Sequence, residues 1–200
     1  MERPGSGNLR RYTGQAVDLS QALGDVHAGH IVVIGEEHDD RQHHENELAV
    51  LRALLRQSLR VSVGMEFLAY PDQPFVDRYV RGDMAEADFL SAVHWGGAPF
   101  AWYRPLVLFP RDAGGETVAL NAPEVLTRAI AQRGLDALSD QERALLPPEF
   151  ALGSALYFER FAREVQQHGG LSEAAVRDFF ASLRRRSGRS QSASPFHCRL

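Results

Sequence analysis

The sequence predicts an α/β fold: a parallel-sheet core flanked by helices, then a helical C-terminal part and a disordered tail. Three observations carry that expectation. Short β-branched runs alternate with stretches of helical period, in the order β-α-β-α-β-α. The first run, Ile31-Val32-Val33-Ile34-Gly35, is apolar on both faces, as parallel strands covered by helices are. Capping signals then sit where that alternation requires helices to start, and right-handed crossovers join the strands.

Strand one is expected over residues 31–35. A helix follows over about 41–57, with Asp39 or Asp40 as its N-cap. Leu48, Leu51 and Leu55 form its apolar stripe, flanked by Leu54; His44 falls mid-stripe, Glu47 beside it and His43 near the edge. Strand two is expected over 61–67 (VSVGMEF). Pro74 then starts a short helix that Gly82 stops. Asp83 with Glu86 reads as a capping box for the next helix, which ends near Val93. Residues 94–104 (HWGGAPFAWYR) read as an aromatic, glycine-rich loop, and 106–109 as either a helical turn or a strand. Strand three is expected over 117–121 (TVALN), with a helix from Pro123 to about Gln132. Ser139 with Glu142 caps another helix, and further helices cover about 154–167 and 172–184.

The chain has 200 residues, 44% of them hydrophobic, which suits one domain with a sizeable core, taken as residues 1–183. A formal net charge of −4 counts against a nucleic-acid partner, because such domains are usually strongly basic. A single cysteine, Cys198, excludes an intramolecular disulfide and a cysteine-based zinc site. The first residues lack the apolar stretch of a signal peptide, so a cytoplasmic location is expected. Residues 184–200 are rich in arginine and serine and hold no acid, the composition of a solvated, disordered tail.

Chemistry concentrates at the strand ends. Glu36 with His38, then Glu66, then Asn121 close the three expected strands. In a parallel sheet those ends emerge on one edge, where ligands of open α/β folds sit. His44 and Glu47 face the same place. Imidazoles and carboxylates there suit a divalent metal or a general acid/base pair. Glu66, at the mouth of a sheet, is expected to be partly desolvated. Plainer roles exist for each group. Glu36 or Glu66 caps a helix; His44 is a core histidine bonded to Glu47 or to backbone; His43 is solvated; Asn121 forms an Asx turn or cap before Pro123. His94, Trp95, Trp102 and Tyr103 serve loop packing.

Gly35-Glu36-Glu37-His38-Asp39-Asp40, His44, Gly64-Met65-Glu66-Phe67 and Gln73 resemble the ChaN-like family of the haem-binding-uptake, Tiki superfamily. Trp95, Trp102-Tyr103-Arg104-Pro105-Leu106 and Asn121-Ala122-Pro123-Glu124 fit the same pattern, in order across roughly residues 20–140. The resemblance implies an α/β fold and, for the ChaN branch, haem binding in iron acquisition, with haems at a dimer interface and tyrosine on the iron. It also implies a homodimer and an outer-membrane haem-uptake system as partners. Members are often envelope lipoproteins and usually carry a further helical segment. Here the arginine/serine tail follows Phe179-Phe180-Ala181 in its place, so the domain reads as shortened at its C-terminus.

Haem needs an apolar slot and an axial donor. Tyr103, His94 and Tyr70 are the candidate donors and Trp102 a candidate wall; Tyr103 is preferred. The Tiki and esterase branches imply the alternative, a metal-dependent hydrolase. There Glu36, His38 and Glu66 are catalytic, and His38, His44, Glu36 and Glu66 hold a divalent metal. The reading favoured is haem binding without turnover.

Overall fold

In the computed structural model, residues 9–10, 16–147, 156, 158–159 and 162–163 are described. Helices combine with a two-stranded parallel sheet, the mixture of an α/β protein, as the sequence predicts. The chain packs as two units. Val63 and the described residues before it join Asp77–Thr117 in the first; Gly64–Val76 and the described residues from Val118 onward form the second.

In the first unit, β1 (Leu9–Arg10) and β2 (Ala16–Val17) pair antiparallel, Leu9 opposite Val17. Asp18 then starts α1 (Leu19–Ala22) with a capping box: its carboxylate accepts from Gln21 N at 2.8 Å, and Gln21 returns an acceptor to Asp18 N. The strand expected over 31–35 does not form. Ile31 and Val33 are 43% and 58% exposed, so one face of this apolar run lies uncovered. A strand exists only as part of a ladder, and this run has no strand partner among the described residues. The parallel sheet is accordingly narrower than predicted.

Asp40 caps α2 (Arg41–Arg56) by accepting from Gln42 N at 2.8 Å. The helix buries His44, Val50, Leu51, Ala53 and Leu54, whereas Leu55 is 40% exposed. The apolar stripe is therefore rotated from the predicted one, away from Leu55 and towards Val50 and Ala53. α3 (Gln73–Arg81) follows a 3-10 turn at Tyr70–Asp72 and stops at Gly82, whose φ of +84° suits glycine. α4 (Glu86–Ala92) starts without the predicted capping box. Its N-cap is Ala85; Asp83 pairs with Arg81 at 3.0 Å, and Glu86 accepts from Tyr79 and Arg104.

The largest departure is α5 (Phe100–Asp112), which takes in Trp102, Tyr103 and Arg104 as well as 106–109. Only the start of the predicted loop is a loop. Pro105 and Pro110 lie inside this helix and read as breaks in the sequence. The buried set Phe100, Tyr103, Leu106, Val107 and Pro110 nevertheless keeps helical period. Burial of that face outweighs the backbone hydrogen bonds that the prolines remove.

β3 (Val63–Ala69) and β4 (Thr117–Asn121) form the parallel pair, and each runs from one unit into the other. At its first-unit end, Val63 N donates to Glu116 O at 2.9 Å and Glu116 N donates to Ser62 Oγ at 3.1 Å. Gly115 allows this approach, since a Cβ there would sit 1.9 Å from the Val61 carbonyl oxygen. In the second unit, Ala119 N donates to Gln73 Oε1 at 2.8 Å. α6 (Glu124–Arg133) and α7 (Asp140–Ala144) follow, the latter with the predicted Ser139–Glu142 capping box. Leu126, Ala129, Ile130 and Leu138 form the core under them. Of the helix expected over 154–167, Leu156, Phe158, Glu159, Ala162 and Arg163 are described and helical. The helix expected over 172–184 and the tail at 184–200 lie outside the described residues.

Candidate functional site

In the first unit, the residues that enter α2 meet its first two turns and the face of α5. His44 and Glu47 are three residues apart, so α2 presents them on one side. His44 is buried at 3% exposure. Its Nδ1 lies 2.8 Å from Glu36 Oε2 and 3.3 Å from Glu47 Oε2, and its Nε2 lies 3.3 Å from the His38 carbonyl oxygen. A carbonyl only accepts, so Nε2 carries the proton and donates. Both plainer partners expected for a core histidine, Glu47 and backbone, are thus present together.

Glu36 is held from its other oxygen. Tyr103 donates its phenol to Glu36 Oε1 at 2.6 Å, and His38 Nδ1 reaches the same atom at 2.8 Å. Oε2 is buried and makes no hydrogen bond of good geometry, although it stands in ion-pair range of His44. The two carboxyls respond in opposite directions. Burial pushes Glu36 up, but hydrogen bonds from Tyr103 and His38, the His44 charge and a hydrogen bond from Glu47 together hold it below the ordinary glutamate value. Burial first, then the Glu36 charge, push Glu47 up to about 7, against the opposing pull of His44. With no cation bound, Glu47 therefore keeps a proton below about pH 7 while Glu36 is ionised.

Aromatic rings wall this cluster. His44 stands 4.4 Å from Tyr103 and 5.6 Å from Trp102 between ring centroids. Trp95 packs edge-on to both Tyr103, at 5.2 Å, and Phe100, at 5.0 Å. The sequence named Trp95, Trp102 and Tyr103 as neighbours in a loop; a loop–helix junction brings them together instead.

The other sequence-derived candidates separate. The His38 side chain is exposed; its Nδ1 meets Glu36 Oε1, and its backbone carbonyl accepts from His44 Nε2. His43 is half-buried, and its Nδ1 accepts from Glu37 N at 2.9 Å, so it is not simply solvated. Tyr103, the preferred axial donor, is 2% exposed with its hydroxyl turned to Glu36. His94 is exposed on the loop before α5, with a φ of +51°. Trp102 is half-buried. Tyr70 belongs to the second unit, where its hydroxyl donates to the Leu145 carbonyl. Glu66 also lies there, and it is exposed, which corrects the expectation of a desolvated carboxyl. Met65 and Leu68 are buried on opposite faces of β3, and Glu66, on the face of Leu68, is left exposed. Asn121 ends β4 in the same unit with its Oδ1 buried and without a hydrogen-bond partner among the described residues; Pro123, not Asn121, caps α6. Glu47, which the helical spacing had set beside His44 without counting it as a ligand, is a full member of the cluster.

Comparison with known proteins agrees with this architecture. A structure of ChaN of Campylobacter jejuni, described as cofacial haem binding, superposes with a TM-score of 0.60 at 14% identity, over 90% of this chain and 70% of that one. At that identity the likeness bears on the fold alone. Protein RETICULATA-RELATED 5, chloroplastic, of Arabidopsis thaliana is 27% identical over 122 residues, 58% of this chain. Those residues make up 17% of that protein, so the chain spans only a small part of its length. The family model described as haem-binding uptake, Tiki superfamily, ChaN matches residues 22–186. The chain belongs to that family.

Proposed function

We propose that this protein binds haem and handles it without turnover, in the service of iron uptake. The observation that carries this reading is the family match over residues 22–186. The residues present fit the group. Haem needs an axial donor within reach of solvent and apolar surface beside it. His94 is exposed, Trp95 and Trp102 are half-buried, and Ile31 and Val33 leave apolar surface uncovered in the same unit. Of the candidate donors, His94 is best supported. Tyr103 is buried and engaged by Glu36, so it acts by holding that carboxylate. His94 would hold the haem iron, with Trp95 and Trp102 offering apolar surface, and the bound group would supply iron redox and ligand chemistry. A homodimer that shares haem between protomers is part of the proposal.

Titration of the purified protein with hemin tests it. A saturable Soret band is expected, weakened in His94→Ala and retained in Tyr103→Phe. Absence of any saturable band overturns the reading. The alternative of a metal-dependent hydrolase draws support from the carboxylate–imidazole cluster at Glu36, His44 and Glu47. Its test is hydrolysis of peptide and ester substrates with added zinc or manganese, compared between wild type and His44→Gln.

A further inference from the structure

We propose that Glu36, His44 and Glu47 form a site for a single divalent transition-metal ion, of the zinc or manganese class, distinct from any haem. The donor atoms of these residues lie within 4.8 Å of one another. His44 Nδ1 stands 2.8 and 3.3 Å from the nearest oxygens of Glu36 and Glu47. Metal bonds of about 2.0–2.2 Å set neighbouring donors roughly 3.0–3.5 Å apart, so small side-chain shifts complete the shell.

The orientation of each donor is fixed from outside the cluster. His44 Nε2 donates to the His38 carbonyl, which leaves Nδ1 facing the carboxylates, where it carries a proton in the metal-free protein and is free to ligate once a metal displaces that proton. A ligating histidine is held in this way by its second nitrogen. Tyr103 and His38 occupy Glu36 Oε1. Glu36 Oε2, buried and without a hydrogen bond, is left facing Nδ1. Nδ1 and two carboxylate oxygens converge on one space, which takes positive charge from protons in the metal-free protein and from a dication that displaces them. Two carboxylates balance a dication, and the set of one imidazole nitrogen with carboxylate oxygens, without thiolate, suits zinc or manganese. Three protein donors leave a position for water.

A second group, Glu37, Asp40 and His43, lies nearby and serves as an internal control. His43 Nδ1 accepts the Glu37 N–H there and its Nε2 faces Asp40 Oδ2 at 3.6 Å, but Glu37 is exposed, so this group is open to water where the first is buried.

The test uses the full chain, stripped with EDTA and free of haem, dialysed against zinc and separately against manganese, with bound metal counted by mass spectrometry. A single ion per chain is expected. Glu47→Gln and His44→Gln lose it, Glu37→Gln keeps it, and Tyr103→Phe weakens it by about 10- to 100-fold, as loss of an outer-shell partner does. Cobalt added to the wild type gives visible bands of nitrogen/oxygen coordination, which decides the matter should the ligand variants fail to fold. Hemin titration of Glu47→Gln is expected to match wild type, so failure of the metal site and failure of the haem reading are separable. A metal-free wild type with the cobalt spectrum of the aqueous ion overturns the proposal and leaves a proton as the occupant. So does metal retained by a folded Glu47→Gln.

Discussion

Tyr103 and Glu36, 67 residues apart in sequence, meet in a hydrogen bond of 2.6 Å that ties α5 to the segment entering α2. The phenol is buried and the acceptor is a carboxylate, so the bond is charge-assisted. Tyr103→Phe keeps the ring packing and removes only the donor. A loss of about 1.5–3 kcal/mol is expected, read as a lower urea midpoint with unchanged slope. The Soret band with hemin is expected to persist. An unaltered midpoint shows that this bond adds nothing to stability, and a band that vanishes with the phenol assigns Tyr103 to the iron instead.

Glu47 gives the metal-free protein a pH dependence of defined sign. Its folded-state pKa is raised from 4.5 to about 7, chiefly by burial and then by the Glu36 charge. Below about 4.5 both folded and unfolded states hold the proton. Between about 4.5 and 7 the unfolded chain releases it while the folded chain keeps it, so stability falls as pH rises through that window. Glu36, held low beneath His38, Tyr103 and His44, acts in the opposite sense and only at more acid pH. Urea midpoints measured in EDTA are expected to drop from pH 5 to pH 7.5 in wild type. Glu47→Gln, which cannot ionise, flattens that drop; a variant with the same slope as wild type assigns the dependence elsewhere.

On the far side of the aromatic cluster, Tyr79 stacks on Phe89 at 4.3 Å and donates to Glu86 at 2.8 Å. Burial first, and the Glu86 hydrogen bond next, push its phenol up to about 12. Arg104 holds Glu86 below the usual carboxylate value through their hydrogen bond. The phenol stays neutral in the fold while the unfolded chain ionises, so stability is lost as pH climbs from about 10 to 12. Ultraviolet titration of phenolate is expected to show a late-ionising tyrosine that disappears in Tyr79→Phe. Simultaneous ionisation of all five tyrosines excludes the raised value.

Helix spacing made the centre of the site legible. With His44 and Glu47 three residues apart on an amphipathic stretch, period alone puts both on the core side, and the structure does so. Caps were equally readable where one side chain meets one backbone N–H, as at Asp40 and Ser139. Tertiary competition was not. The Asp83–Glu86 pattern fails because Arg81, Tyr79 and Arg104 take those carboxylates, and none of the three is part of a local capping signal. The apolar run at 31–35 specifies a β-prone chain, yet pairing depends on a neighbour that its own residues do not encode. The prolines of α5 pointed to a loop, and only the packing of Phe100, Tyr103 and Val107 shows why a helix persists. Tyr103 as a partner of Glu36 carries no sequence signal, because the contact is made between separate elements.

Gly115 sets the approach of the two parallel strands at their first-unit end. A Cβ there would meet the Val61 carbonyl oxygen at 1.9 Å and Ser62 N at 2.8 Å, both backbone atoms that cannot swing aside as a side chain does. Gly115→Ala therefore forces the Val61–Ser62 peptide and the 115–116 backbone apart. The hydrogen bonds Val63 N to Glu116 O and Glu116 N to Ser62 Oγ lengthen with them. Overpacking costs of about 1–3 kcal/mol are typical where side chains yield, and a backbone clash is expected at or above the top of that range. Gly82→Ala serves as the comparison: it is strained by its φ of +84° but meets no atom within 4 Å, so its cost is expected near 1 kcal/mol, that of a strained helix end. Chemical denaturation of the two variants, with hydrogen exchange at Val63 and Glu116, checks the ranking. Equal losses in both, or protection at those amides undiminished in Gly115→Ala, shows that the strands do not depend on this contact.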